Sequence, residues 1–134
     1  MRPKRTGPLV AAGISLFISC GDESYVEYWI FVGNIDAPEW IEPHDDLNVT
    51  LEGTVGPDGC HRVARVETVR GRDHIDVTVF GQQYVGSDFR ACSQEAVPLE
   101  KHLAFSPPFD HSAFAIVVHQ PDGTSLRRLV SIRE

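Results

Sequence analysis

A chain of 134 residues, 42% hydrophobic and 23% charged, has room for one domain and little else. Its net charge of −7 is unevenly placed, because residues 20–59 hold ten acids and no Lys or Arg whereas residues 60–134 hold nine of each sign. The lack of a basic footprint argues against nucleic-acid binding; the acids read first as a solubilising coat and second as an attraction for a cationic partner or divalent ion.

The first nineteen residues stand apart from the rest. Arg2, Lys4 and Arg5 form a basic start, and Gly7 to Ser19 is an apolar run of 13 residues. A spanning helix needs about 20, so this run, followed at once by Gly21-Asp22-Glu23, reads as an export signal. Leu16-Phe17-Ile18-Ser19-Cys20 resembles a bacterial lipobox, the site at which lipoprotein signal peptides are cut before a cysteine that receives acyl chains. Small Ser19 before Cys20 fits that pattern, while Phe17 stands where Leu is usual. The resemblance implies residues 1–19 as signal peptide, Cys20 as the lipidated (palmitate-type) residue, 20–24 as a tether and 25–134 as the folded domain of a cell-envelope protein held to the membrane by acyl chains. Ordinary secretion and an uncleaved anchor are the alternatives.

With Cys20 assigned to lipid, Cys60 and Cys92 remain as an even pair in an exported chain, which an oxidising compartment allows to persist as a disulfide. Closing that loop of roughly 33 residues is worth about 3 to 4 kcal/mol. The alternative is a catalytic cysteine served by one of the six histidines.

Tyr25 to Val32 is aromatic and β-branched and reads as a first strand, though a short buried helix fits the same run. Gly33-Asn34 is expected to break it. Ile35 to Ile41 continues extended, and Pro38 and Pro43 place it at a sheet edge or in a loop. Leu47, Val49 and Leu51 then alternate with Asn48, Thr50 and Glu52, the period of a half-buried strand, with Gly53 marking a bulge or close backbone approach. Pro57-Asp58-Gly59 reverses the chain into a strand from Cys60 to Val69. Ile75, Val77 and Val79 give the next strand the same alternation. A two-residue turn at Arg70-Gly71 would oppose Glu67 with His74 and Arg65 with Asp76, and is favoured over a four-residue turn that opposes Glu67 with Asp76.

Gly81 to Ala96 shows no period and reads as a long loop or ragged edge returning Cys92 towards Cys60. Val97 to Ser106 follows, ended by Pro107-Pro108. Ala113 to His119 and Leu126 to Arg133 are two further strands around Pro121-Asp122-Gly123-Thr124. The fold expected is all-β, an antiparallel two-sheet sandwich of about seven strands. The strand-turn-cysteine of Leu47 to Cys60, the later Cys92 and the paired final strands resemble the small immunoglobulin-like domains of bacterial exported lipoproteins. No Trp lies between the two cysteines, so the antibody arrangement does not carry over, and neither does any antibody-like function.

Sites for chemistry are few. His44 and Asp46 would share one side of an extended segment, and His74 and Asp76 one face of a strand, as a zinc or catalytic pair would; each is read as a solvated turn or a cross-strand charge pair. His111 and His119 flank the run Phe114 to Val118, and nothing in the sequence brings them to an acid or nucleophile. The mature chain contains no Gly-x-Ser-x-Gly, His-Glu-x-x-His, phosphate-loop, dinucleotide or Cys-x-x-Cys pattern. No catalytic, metal or cofactor residue is assigned. The leading expectation is a non-enzymatic lipoprotein that binds a protein or glycan; an inhibitor or accessory subunit presenting the loop Gly81 to Ala91 comes next, and an envelope hydrolase or metal-dependent enzyme last.

Overall fold

The structure, a computed structural model, describes residues 24–86 and 91–134. Residues 1–23, which hold the expected signal segment and Cys20, and residues 87–90 of the expected Gly81 to Ala96 loop lie outside the described residues. Nine strands follow in order: β1 (Tyr25–Trp29), β2 (Val32–Asp36), β3 (Trp40–Ile41), β4 (Leu47–Gly56), β5 (His61–Arg70), β6 (His74–Tyr84), β7 (Val97–Phe105), β8 (Ala113–His119) and β9 (Ser125–Ile132). No helix occurs among the described residues.

Two sheets form. The smaller is β2-β4-β7 and the larger runs β1-β6-β8-β9-β3, with β5 also on β6. Strand β5 covers β6 from Ile75 to Gln83, so the other edge of β6 is divided, β8 taking His74 to Val77 and β1 taking Phe80 to Tyr84. The larger sheet curls into a half-barrel. Between the sheets lie Leu47, Val49 and Leu51 from β4, Ile75, Val77 and Val79 from β6, and Phe114, Ile116 and Val118 from β8, all buried. Each such side chain contributes about 1.5–3 kcal/mol by leaving water. The alternation read for β4 and β6 is therefore the physical basis of the core.

The single aromatic strand expected from Tyr25 to Val32 is two strands in different sheets. The break falls at Ile30-Phe31 and not at Gly33-Asn34, which lie inside β2 at a bulge. Ile30 N–H still donates to Val79 O in the larger sheet at 2.9 Å. Two residues on, Val32 is gripped by the side chain of Gln120, whose Oε1 accepts from Val32 N–H at 2.9 Å and whose Nε2 donates to Val32 O at 2.8 Å. Gln120 is only 3% exposed, and its amide stands in for a strand neighbour where the chain changes sheets. Arg128 adds a second stitch, donating to Ile35 O at 3.1 Å and Ala37 O at 2.8 Å.

The split, together with the two-residue β3, raises the strand count from the expected seven or so to nine. The sheets are also not wholly antiparallel, since β3 runs parallel to β9 and β6 parallel to β8. The proline-rich segment does end on edges, as its missing donors require: β2 borders the smaller sheet and β3 the larger. Gly53 sits where a side chain would meet Phe31 O at 3.0 Å and Gly33 N at 3.1 Å, the close approach anticipated there.

Neither expected register of the β5-β6 hairpin occurs. Arg70 pairs with Ile75, Glu67 with Thr78 and Arg65 with Phe80, after a bulge between Val63 and Arg65. The turn closes through Gly71 N–H donating to His74 O at 2.8 Å, so its tip is Arg72-Asp73. This register lays the exposed Arg70 across one end of the core, where its guanidinium donates to Ser106 O at 2.8 Å and Pro108 O at 3.0 Å and lies over the Phe109 and Phe114 rings at 4.7 and 5.0 Å. Those contacts close one end of the core. Surface charge pairs, worth a few tenths of a kcal/mol, do not compete with them.

Candidate functional site

Along β6, Ile75, Val77 and Val79 point into the core, so His74, Asp76 and Thr78 must face outward. The parallel pairing of β6 with β8 sets His74 beside Ala115 and Asp76 beside Val117. One further step along β8 is His119, on the same outer face. It reaches back diagonally, and its Nε2 donates to Asp76 Oδ1 at 2.9 Å. His74 Nε2 stands 3.2 Å from the other oxygen, Oδ2. One carboxylate thus lies between two imidazoles.

The outer nitrogens of both rings are occupied as well. His74 Nδ1 is 3.0 Å from Asp73 Oδ1, and His119 Nδ1 is 3.5 Å from Ser125 Oγ, supplied by the cross-strand neighbour on β9. The charges respond to this packing. A hydrogen bond to Asp73, with Asp76 nearby, raises the pKa of His74; the hydrogen bond from His119 is the chief cause that lowers Asp76, and the bond to His74 lowers Asp73. Beside the cluster Asp73, His74, Ala115, Val117 and Arg127 line a shallow depression of about 300 Å³.

The pairing of His74 with Asp76 was legible from period two alone, but the expected cross-strand partner Arg65 is absent. On β5 the residue opposite Asp76 is Val69. Arg65 instead binds Glu27, with Nη1 2.6 Å from Oε2, and lies over the Phe80 ring at 4.0 Å, next to the edge-on Trp29–Phe80 pair. His119, which the sequence left without an acid, is brought to one across 43 residues. The signal that could have found it is the Ala113 to Val118 run, whose near-continuous hydrophobicity marks a strand covered on both sides and flanked by neighbours, with a polar residue at its outer end.

The other sequence-level pair does not form. Residues around His44 are a turn and not an extended strand, so His44 Nε2 meets Glu42 Oε1 at 3.3 Å, and Asp46 takes no part. Asp45, the third member of that group, accepts from Glu42 N–H at 3.0 Å and so serves the turn itself. His111 pairs with its neighbour Asp110 at 3.1 Å. Cys60 and Cys92 are joined in a disulfide, with Cα atoms 5.3 Å apart.

An Asp76–His119–Ser125 series has the residue types of a hydrolytic relay. Its histidine side chain is 41% exposed on an open sheet face, however, and such relays depend on a site that excludes water. The arrangement suits ligation better than nucleophilic attack. Compared with known proteins, the chain matches no family model, no curated protein and no solved structure.

Proposed function

We propose that this chain is an exported lipoprotein of the cell envelope, held to the membrane by acyl chains on Cys20, whose two-sheet domain acts by binding a protein or glycan partner and not by catalysis. What supports the reading is the Cys60–Cys92 bond. It engages those two sulfurs with each other, which suits an oxidising compartment, and leaves Cys20 as the third cysteine, behind a basic and apolar leader. Three residues separate Cys20 from Ser24, four Cα steps with a reach of at most about 14 Å, so the domain would ride close to the bilayer. The finer resemblance to an immunoglobulin-like sandwich belongs to the same proposal. Short strands in two packed layers support it, although the disulfide ties a turn to a loop and does not join two facing strands.

The binding surface we assign is the outer face of the larger sheet, where Trp29, Val69 and Leu129 are exposed around the Arg65–Phe80 stack and the His74–Asp76–His119 cluster. Exposed aromatic and apolar groups interleaved with charge are the composition of contact surfaces. Mass spectrometry of the protein taken from the envelope tests the reading. Expected are a chain beginning at Cys20 with an acyl-sized mass increment, and a gain of two hydrogens on reduction. An intact residue 1 without acylation, or two free thiols at Cys60 and Cys92, would refute it.

A further inference from the structure

The cluster on the outer face has more order than a surface ion pair needs. Three residues of metal-ligating type, His74, Asp76 and His119, come from adjacent strands of the larger sheet. Both imidazoles direct Nε2 at the same carboxylate, at 3.2 and 2.9 Å. Each ring is held from behind at Nδ1, by Asp73 at 3.0 Å and by Ser125 Oγ at 3.5 Å. An imidazole whose second nitrogen bonds a carboxylate or hydroxyl is the arrangement that orients histidine for a metal and raises its basicity. At such exposure neither hydrogen bond contributes much to stability.

We propose that His74, Asp76 and His119 bind a divalent transition-metal ion of the zinc class on the outer face of the larger sheet. The ion takes the deprotonated Nε2 of each ring and an oxygen of Asp76, while the Nδ1 protons are donated to Asp73 and Ser125. Asp76 now stands between the rings, and the ion would be reached by a small rotation of side chains that are 42% and 41% exposed and pivot on their Nδ1 bonds. Two nitrogens and one carboxylate suit zinc, nickel or copper, whereas calcium and magnesium require more oxygens. Three protein ligands leave a fourth position open. Of the three ligands, His74 also lines the depression bordered by Arg127.

Among the described residues two other groups hold their ligand atoms within 4.8 Å of one another, a closeness that His74, Asp76 and His119 reach only when the rings turn, yet neither group is free for an ion. Asp58 lies beside Cys60 and Cys92, whose sulfurs are spent in the disulfide. Glu42, His44 and Asp45 lie on an exposed turn that uses the Asp45 carboxylate to cap itself. The proposal does not depend on Cys20 carrying lipid, and its test is separate from the one above.

Titrating the purified full chain with Co²⁺, then displacing it with Zn²⁺, tests the site. One ion per chain is expected, with the visible absorption of four-coordinate Co²⁺ lost on adding Zn²⁺. His74→Gln and His119→Gln keep side-chain length and a donor to Asp76, so a folding defect does not imitate a lost ligand; each is expected to weaken binding at least about 10-fold. Asp73→Asn, which removes the orienting carboxylate and its charge without touching a ligand, should weaken it by about 10-fold to 100-fold. Zn²⁺ should raise the thermal midpoint of the natural chain and not that of His119→Gln. The proposal is overturned if no visible spectrum develops, if both glutamine variants bind as the natural chain does, or if His44→Ala abolishes binding.

Discussion

The chain uses the tripeptide Pro-Asp-Gly twice to reverse direction, at Pro57-Asp58-Gly59 and at Pro121-Asp122-Gly123, and the two turns share one device. Asp58 Oδ1 accepts from Cys60 N–H at 2.9 Å, and Asp122 Oδ1 accepts from Thr124 N–H at 3.0 Å. A short carboxylate bonding its own backbone two residues on is what makes Asp a turn residue. The glycines, by contrast, are present for different reasons. Gly123 has φ +88°, a conformation that side chains resist, yet a Cβ there would meet nothing within 4 Å. Gly59 has no positive φ, but a Cβ would lie 2.9 Å from Ser93 Cβ and 3.0 Å from Ser93 N. That crowding comes from the neighbouring loop, drawn in by the Cys60–Cys92 bond and by Gly59 N–H donating to Ser93 O at 2.9 Å. One turn is a local matter of backbone geometry, the other a junction between distant segments.

The sharpest way to break the comparison is to remove the bond that makes the first turn a junction. Replacing both Cys60 and Cys92 with Ser should lower stability by about 3 to 4 kcal/mol in urea unfolding, the entropy of closing a loop with sequence separation 32. Next in size is Gly59→Ala, which forces Ser93 aside and should cost about 1 to 3 kcal/mol. Gly123→Ala should cost about 1 kcal/mol, through φ alone. A double-mutant cycle then separates the causes. The cost of Gly59→Ala should shrink once the cysteines are gone, because the loop can retreat, whereas the cost of Gly123→Ala should be unchanged. Equal coupling at both turns would show that the two glycines do the same work after all.

The smallest effect is in acid, where the two turns should behave alike. Both carboxyls titrate below their ordinary value, Asp58 chiefly through the Cys60 N–H and Asp122 chiefly through the Thr124 hydroxyl and then its N–H. A depressed folded pKa means stability that is complete above the ordinary aspartate value of about 3.9 and lost as pH falls through the folded value. Urea midpoints taken from pH 6 down to pH 2 should therefore fall less steeply below about pH 4 in an Asp58→Asn, Asp122→Asn double variant than in the natural chain. An unchanged acid limb would remove these carboxylates from the account.

What the sequence made legible was whatever depends on near neighbours. The alternation of Leu47, Val49 and Leu51 and of Ile75, Val77 and Val79 foretold the faces of β4 and β6, and both Pro-Asp-Gly turns formed where expected. What it hid depends on partners far along the chain. Nothing within Tyr25 to Val32 marks Ile30-Phe31 as the place to change sheets, because the group that makes the change possible is Gln120, 88 residues away. Surface charges favour a hairpin register that does not form, and the contact made instead, Arg70 over Phe109 and Phe114, joins residues about 40 positions apart. The candidate site divides similarly. Its His74–Asp76 half follows from period two, and its His119 half exists only because β6 and β8 run parallel, side by side.

The split aromatic strand also says how the molecule would respond to a mechanical load. A pull entering at Ser24 would run along β1, whose five pairings with β6 from Tyr25–Tyr84 to Trp29–Phe80 lie along the strand and would be stressed in shear, all at once, not unzipped one by one. Beyond them the tension would arrive at Val32, where the Gln120 amide holds the backbone by both its donor and its acceptor. A load applied at that end would thus meet the β1 pairings and the Gln120 clamp before it reached the strands that carry the core.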